Sequence, residues 1–351
     1  VVAPLPRSSL LKKAAVRQYT VRIITSNASY KYPISELNAT RINAYKAVYF
    51  NLYYYPLFMR LRLFKLFLFN LLALYTSQLH AQGTGPAGHG ARAVALGGAA
   101  TTLANEVWAA ANNAAGLGTL TRPTAGAYFE NRYLITSLNM AAVAVALPLG
   151  VIEPAATGQA TRAERGVVGF EAQRFGGALY HEVRVGAAYG YRLGVVNIGG
   201  RLDMLQVSFR DLGSRRTLAG SLGGQAEVVP EHLTFGVYLY NLNQAKLADY
   251  QDERVPTVVR AGLAYRASKQ VLVLVESEKD IEHEAGFKAG LEYLPAPAVA
   301  LRAGYASLNQ QTTAGVGVKA SNFQFDYAAG WQSALGLSQF ISVNWQWDRK
   351  P

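Results

Sequence analysis

Phe323-Gln324-Phe325-Asp326-Tyr327-Ala328-Ala329-Gly330-Trp331 decides the fold. Side chains of an extended chain alternate between two faces. Phe323, Phe325, Tyr327, Ala329 and Trp331 therefore share one face, and Gln324, Asp326, Ala328 and Gly330 the other. The same period returns upstream. Ala285, Phe287, Ala289, Leu291 and Tyr293 alternate with Glu284, Gly286, Lys288, Gly290 and Glu292. Val183, Val185, Ala187, Tyr189 and Tyr191 alternate with Glu182, Arg184, Gly186, Ala188, Gly190 and Arg192. Leu263 and Tyr265 oppose Arg260, Gly262 and Arg266. In each stretch one face is apolar or aromatic and the other is charged or tiny.

A soluble sandwich hides its apolar face and shows its charges. A membrane barrel inverts this, with apolar residues toward lipid and polar or small ones toward the lumen. Alternation alone does not choose, but the absence of helices between strands and the Tyr and Trp near strand ends favour the membrane barrel. Candidate strands cover 124–132, 137–147, 166–175, 182–192, 196–209, 217–229, 233–243, 257–267, 271–279, 284–294, 299–307, 312–320, 323–332 and 337–347. Their length of about ten residues suits tilted membrane strands. An even count of about 14 lets such a barrel close. The expected fold is all-β: a transmembrane antiparallel barrel over 123–351 with a short N-terminal helical plug segment over 82–122. Loops are expected to be short except near 149–165 and 244–256. In the last strand Ile341, Val343, Trp345 and Trp347 face one way and Ser342, Asn344 and Gln346 the other. Ending on an aromatic, it resembles the signal read by the barrel assembly machinery, although Asp348-Arg349-Lys350-Pro351 follows.

Half of the 351 residues are hydrophobic, only 16% are charged, and 33 are Gly. There is no cysteine, which excludes disulfides, thiolate metal sites, a Cys nucleophile and a lipoprotein anchor. The net charge of +12 is unevenly spread. Residues 1–82 hold 11 Lys/Arg and one acid, Glu36; the remainder holds 23 basic and 21 acidic residues. A nucleic-acid footprint belongs on the folded domain, so no nucleic-acid partner is expected.

The first methionine, Met59, opens a segment that reads as a cleaved signal peptide over 59–81. Arg60, Arg62 and Lys65 precede an uncharged run from Leu66 to Leu79, and Leu79-His80-Ala81 before Gln82 resembles a cleavage site. That run is shorter than the roughly 20 residues a spanning helix needs. Residues 1–58 show no sustained period and read as an unstructured upstream extension.

Gly83-Thr84-Gly85-Pro86-Ala87-Gly88 matches a dinucleotide fingerprint by letter, but no strand precedes it and Pro86 interrupts the turn. It reads as a flexible exported N-terminus. Between 91 and 120, Ala104, Val107, Trp108 and Ala111 recur at helical spacing, predicting one or two short helices before Gly116-Leu117-Gly118.

Gly90-Ala91-Arg92-Ala93-Val94-Ala95-Leu96-Gly97-Gly98-Ala99, then Trp108 and Asn112-Asn113-Ala114-Ala115-Gly116-Leu117, resemble the opening of PorV/PorQ-type outer-membrane proteins, within the FadL-type barrel group of long-chain fatty-acid transporters. Leu301-Arg302-Ala303-Gly304-Tyr305 and Asn322-Phe323-Gln324-Phe325-Asp326-Tyr327 resemble that group's final strands. The Asn-Pro-Ala-Gly-Leu signature maps onto Asn113–Leu117, with Ala114 in place of Pro. The resemblance implies a 14-stranded barrel of the bacterial outer membrane with an N-terminal segment in or under the lumen. It further implies a non-enzymatic role in type IX secretion or cargo attachment, in Bacteroidetes-type bacteria. The alternative is a FadL-like channel for hydrophobic or small solutes. Expected partners are outer-membrane lipids, the assembly machinery, type IX components or secreted cargo, and hydrophobic small molecules.

No catalytic, cofactor or metal residues are expected. His80, His89, His181, His232 and His283 lack ligand spacing, and Gly220-Ser221-Leu222-Gly223 is no nucleophile elbow. Trp108, Asn112, Asn113 and Gly116 are the candidate plug residues. Glu182, Arg184, Arg192, Arg201, Asp203, Arg260, Arg266, Glu284, Lys288, Glu292, Arg302 and Asp326 are candidate lumen charges. Both signs are present, which favours paired charges over a one-signed selectivity ring.

Overall fold

A computed structural model describes residues 88–150, 152–153, 162–247 and 254–347. The extension 1–58, the signal 59–81 and residues 82–87 of the expected plug segment lie outside the described residues. The described part belongs to the compact unit Gln82–Pro351.

The first half of the wall is built by β1 (Thr124–Asn131), β2 (Asn139–Pro148), β5 (Val167–Gly176), β6 (Tyr180–Leu193), β7 (Val196–Phe209), β8 (Gly213–Val229) and β9 (Leu233–Tyr240). The second half follows as β10 (Val258–Arg266), β11 (Val271–Asp280), β12 (Ala285–Ala296), β13 (Val299–Ala306), β14 (Gln311–Ala320), β15 (Phe323–Gln332) and β16 (Gly336–Gln346). These fourteen strands form one closed antiparallel barrel. The small strands β3 (Ile152–Glu153) and β4 (Arg162–Ala163) pair only with each other, inside the long loop expected near 149–165. Closure comes from β1 on β16, with Thr124 opposite Gln346 and Phe129 opposite Ile341. It leaves the wall without an edge strand, which a lipid environment requires.

The alternation is inverted relative to a soluble fold. Phe170, Val185, Tyr189, Leu202, Leu218, Phe287, Leu291, Phe325, Tyr327 and Ile341 are exposed on the outside. Glu171, Arg201, Asp203, Arg260, Glu276, Glu292, Arg302 and Asp326 are buried inside. Soluble monomers rarely expose contiguous apolar patches beyond a few hundred Å², whereas this band runs around the whole wall. At the end where β1 begins and β16 ends, Tyr265, Tyr293, Phe323 and Trp345 form an aromatic girdle, with Phe323 and Trp345 stacked at 6.1 Å. Trp331 and Tyr305 mark the other end.

The chain from Gly88 to Leu120 runs inside the barrel. Helix α1 (Ala91–Ala95) and helix α2 (Ala109–Asn112) are each about one turn, and a 3-10 turn spans Ala114–Thr119. One or two short helices were expected over this stretch and two form, although α2 begins only at Ala109, after the Ala104 and Val107 of the helical spacing. Asn113 is extended (φ −161°, ψ 106°) and stops α2, because its side chain bonds away from the helix axis.

Candidate functional site

The filled lumen is the candidate site, and the inner segment is fitted to it strand by strand. Inward-facing Gly126, Gly169, Gly190, Gly199, Gly223, Gly236, Gly290, Gly304 and Gly315 form a ring around the wall. A Cβ at Gly199 would lie 2.4 Å from the Ala114 carbonyl carbon, and one at Gly304 only 2.1 Å from the Gly97 nitrogen. The tiny residues on the inner faces are thus the places where backbone meets backbone.

The expected plug residues come together here. Trp108 is buried, donates from Nε1 to Asn344 Oδ1 at 2.8 Å, and meets the Tyr128 ring edge-on at 5.7 Å. Asn112 bonds both backbone groups of His89, its Oδ1 accepting at 2.8 Å and its Nδ2 donating at 2.9 Å. Asn113 Nδ2 donates to Thr101 O at 2.8 Å and to Val237 O of β9 at 3.2 Å. Gly116 packs under the Leu103 carbonyl, where a Cβ would stand 2.6 Å away.

Charged side chains gather in three groups. In the first, Arg201 donates to Asp203 and, at 2.6 Å, to Glu171, while its Nη1 reaches the Ala110 carbonyl at 2.5 Å. Gly186 leaves the gap through which this guanidinium crosses between strands, since a Cβ there would sit 2.2 Å from Arg201 Nη2. In the second, Arg260 binds Glu278 at 2.5 Å and Lys288 binds Glu278 at 2.6 Å and Glu276 at 3.5 Å. Glu276 also accepts the Thr101 backbone N–H at 2.8 Å. In the third, Glu292 holds Arg302 at 2.7 Å and Arg92 of α1 at 2.9 Å; Arg92 also binds Glu106, and Arg302 binds Asp326. Opposite signs meet in each group, one base to two acids in the first, two to two in the second and two to three in the third, so that every buried charge has a partner of the other sign.

Of the expected lumen charges, Arg201, Asp203, Arg260, Lys288, Glu292, Arg302 and Asp326 join these groups. Arg184 is buried, its guanidinium 5.4 Å from the centre of the Tyr240 ring and within electrostatic reach of Asp203 and Glu171 of the first group. Glu284 is corrected: it precedes β12 and is exposed, because the alternating parity was carried one residue past the strand end. Arg266, at the end of β10, is likewise exposed.

Sequence reasoning missed the acids that complete the groups and the one histidine that enters them. Glu276 and Glu278 carry a readable signal, since they continue the inward parity of Leu272 and Leu274 along β11. His89, set aside in the sequence for want of ligand spacing, is buried, bonded to Gln173 and 4.0 Å from Glu171. Burial holds its imidazole below the ordinary pKa, with Glu171 acting against that shift and Arg184 and Arg201 with it. Burial likewise pushes the Glu106 carboxyl up, although Arg92 beside it pulls the other way.

Tyr238 and Tyr240 of β9, Leu205 of β7 and Val258 of β10 form an apolar luminal cluster, with Tyr238 directly opposite Arg260 of β10. Ala245 and Val255 of the following loop are buried against it, held by Asn241, whose Nδ2 donates to Val255 O at 2.7 Å.

No family model matches the chain, and no curated protein matches it. Solved structures do. The toluene transporter TodX of Pseudomonas putida is similar with a TM-score of 0.52 and 11% identity, covering 75% of this chain and 98% of TodX. A TodX deltaS2S3 mutant, described as a monoaromatic hydrocarbon channel, also gives 0.52 at 11% identity, covering 73% and 97%. At such identity the likeness is one of fold. The chain shares the barrel fold of these transport proteins.

Proposed function

We propose that this protein is a non-enzymatic outer-membrane channel for small hydrophobic solutes, closed at rest by the inner segment acting as a plug. The observation that carries the reading is the apolar luminal cluster. The other two apolar clusters of the lumen are filled by residues of the inner segment, whereas Leu205, Tyr238, Tyr240 and Val258 form an aromatic-walled surface beneath a loop with no inner-segment residue in it. The fold shared with a toluene transporter supports the same class of solute. In this reading the chain is exported by the segment 59–81, inserted by the assembly machinery, and keeps both termini on the periplasmic side. The loop 241–257 then faces outward.

The test is toluene binding by the purified barrel in detergent, followed by intrinsic fluorescence. Saturable binding that survives Tyr240→Phe and weakens about tenfold in Tyr240→Ala is expected, given that an aromatic contact and its buried area are worth about 1.4 kcal/mol or more. Linear, non-saturating partition in all three proteins would remove the solute reading.

A second reading keeps the PorV/PorQ resemblance: a closed barrel serving type IX secretion or cargo attachment by protein contact. It is favoured by the residues that carry the resemblance, since Arg92, Trp108, Asn112 and Asn113 all hold the inner segment to itself or to the wall. A pull-down from outer membranes returning secretion components alongside absent toluene binding would select it.

A further inference from the structure

The outside of the wall carries a feature that barrel packing does not account for. A groove of about 540 Å³ lies across β6, β7 and β8, with Ala187, Gly200 and Gly220 low between Tyr189, Leu202 and Leu222. Register explains its shape: Ala187 pairs with Leu202 and Leu202 with Gly220, while Tyr189 pairs with Gly200 and Gly200 with Leu222. Each luminal glycine of the ring has protein atoms where a Cβ would go, all within 3 Å. Gly200 and Gly220 differ. The nearest atoms to their Cβ positions are leucine methyls at 3.4 and 3.7 Å, and neither has a positive φ. The chain itself has room for a side chain at both. A glycine inside a strand weakens it and often marks close approach by something else.

A charge row lies above the groove. The charged side chains on the outward face of the barrel strands, among the described residues, are Arg174, Arg216 and Lys279. All three are basic and all lie toward the end opposite the start of β1. Arg174, Val183, Gln206 and Arg216 stand in one row across β5 to β8 by direct pairing. The row spans about 14 Å at the usual strand spacing. Gln206 Oε1 accepts from Arg216 Nε at 2.7 Å and fixes that guanidinium in the row. Neither arginine has an acidic partner among the described residues. Gly220 lies four residues below Arg216 on β8, about 13 Å toward the middle of the wall. Cations at headgroup level over an apolar slot at chain level match an amphiphile with an anionic head.

We propose that the outer face of β5–β8 is a binding site for a phosphate-headed anionic membrane lipid. One acyl chain lies over Gly200 and Gly220, and the phosphate sits between Arg174 and Arg216. The site rests on the wall facing lipid and is independent of what the lumen carries.

Native mass spectrometry of the full barrel, released from micelles doped with phosphatidylglycerol or phosphatidylcholine, tests it. One retained phosphatidylglycerol is expected, with phosphatidylcholine retained far less. Arg174→Gln with Arg216→Gln should lower retention by about tenfold or more, since hydrogen bonds to a charged group are the strong ones. Gly220→Leu, which fills the slot, should lower it as well, and Ala187→Phe should do so from β6. Heat-modifiable migration on gels checks that each variant folds. Equal retention of the two lipids, or unchanged retention in the arginine double variant, overturns the proposal. Loss only in the arginine variants, with inorganic phosphate competing fully, reduces the site to a bare anion contact and also overturns it. Failure of the wild-type protein to float with liposomes would instead remove the membrane reading beneath it.

Discussion

Arg201 ties Glu171 of β5 and Asp203 of β7 to the Ala110 carbonyl of the inner segment. Replacing it with Met would leave two carboxylates facing each other in a buried lumen. Breaking such a group costs about 3–5 kcal/mol, read as a lower urea midpoint of the refolded barrel; adding Glu171→Gln should recover part of the loss. His89 gives a pH dependence. Its pKa is lowered in the fold, so the folded state prefers the neutral ring. The unfolded chain takes up a proton near pH 6.5 and the folded one does so only at lower pH. Stability from this group is therefore present at neutral pH and declines as pH falls below about 6.5, by at most about 1.4 kcal/mol per pH unit. The groups around it are Glu171, Gln173, Arg184, Arg201 and the Tyr128 ring. His89→Gln should flatten the urea midpoint over that window, and an unchanged slope would assign the dependence to other groups. At this scale Trp108 and Asn113 were readable because they stand out in a run of small residues. Arg92, Glu106 and Glu171 were not, because their partners lie up to 200 residues away and meet only when the barrel closes.

The long strands were legible because a period of two, sustained over ten residues, survives any tertiary context. β7 and β15 have the expected bounds, while β8 starts at Gly213, four residues early, since its first turns carry Ser214, Arg215 and Arg216 and no apolar alternation. The hairpin of β3 and β4 escaped notice, as two residues per strand carry no period. α1 and α2 stop after one turn because the wall supplies hydrogen bonds that a helix would need to give up: Thr313 Oγ1 donates to the Ala95 carbonyl, and Arg201 takes that of Ala110. The glycine ring is an element-scale device, and Gly199→Ala tests it. The added methyl would drive into the 3-10 turn at Ala114–Ala115, and overpacking of this kind costs about 1–3 kcal/mol. Increased protease cleavage within 88–120 is expected in Gly199→Ala but not in Gly224→Ala, whose Cβ would meet only Val237 Cγ2 at 3.6 Å and Asn197 O at 4.0 Å.

Across the whole molecule, the barrel followed from alternation, but the match between inner segment and wall did not. That match depends on which inward glycine comes opposite which residue, a property of the closed cylinder and its register. Deleting 88–120 should turn a silent protein into an ion-conducting pore in planar bilayers. Because the exposed lumen would carry both signs in near balance, its reversal potential in a salt gradient should stay near zero; strong selectivity for one sign would contradict the charge groups described. Trp108 and Ala91, near the start of the folded chain, bond Asn344 and Ser342 of the final strand. This has a consequence for biogenesis. The inner segment is made first yet cannot be fully anchored until the last strand arrives, so docking and ring closure are one event. The unclosed sheet must be held open around it meanwhile, and a chain shortened before Ser342 would remain an assembly intermediate with its earliest part waiting for its latest.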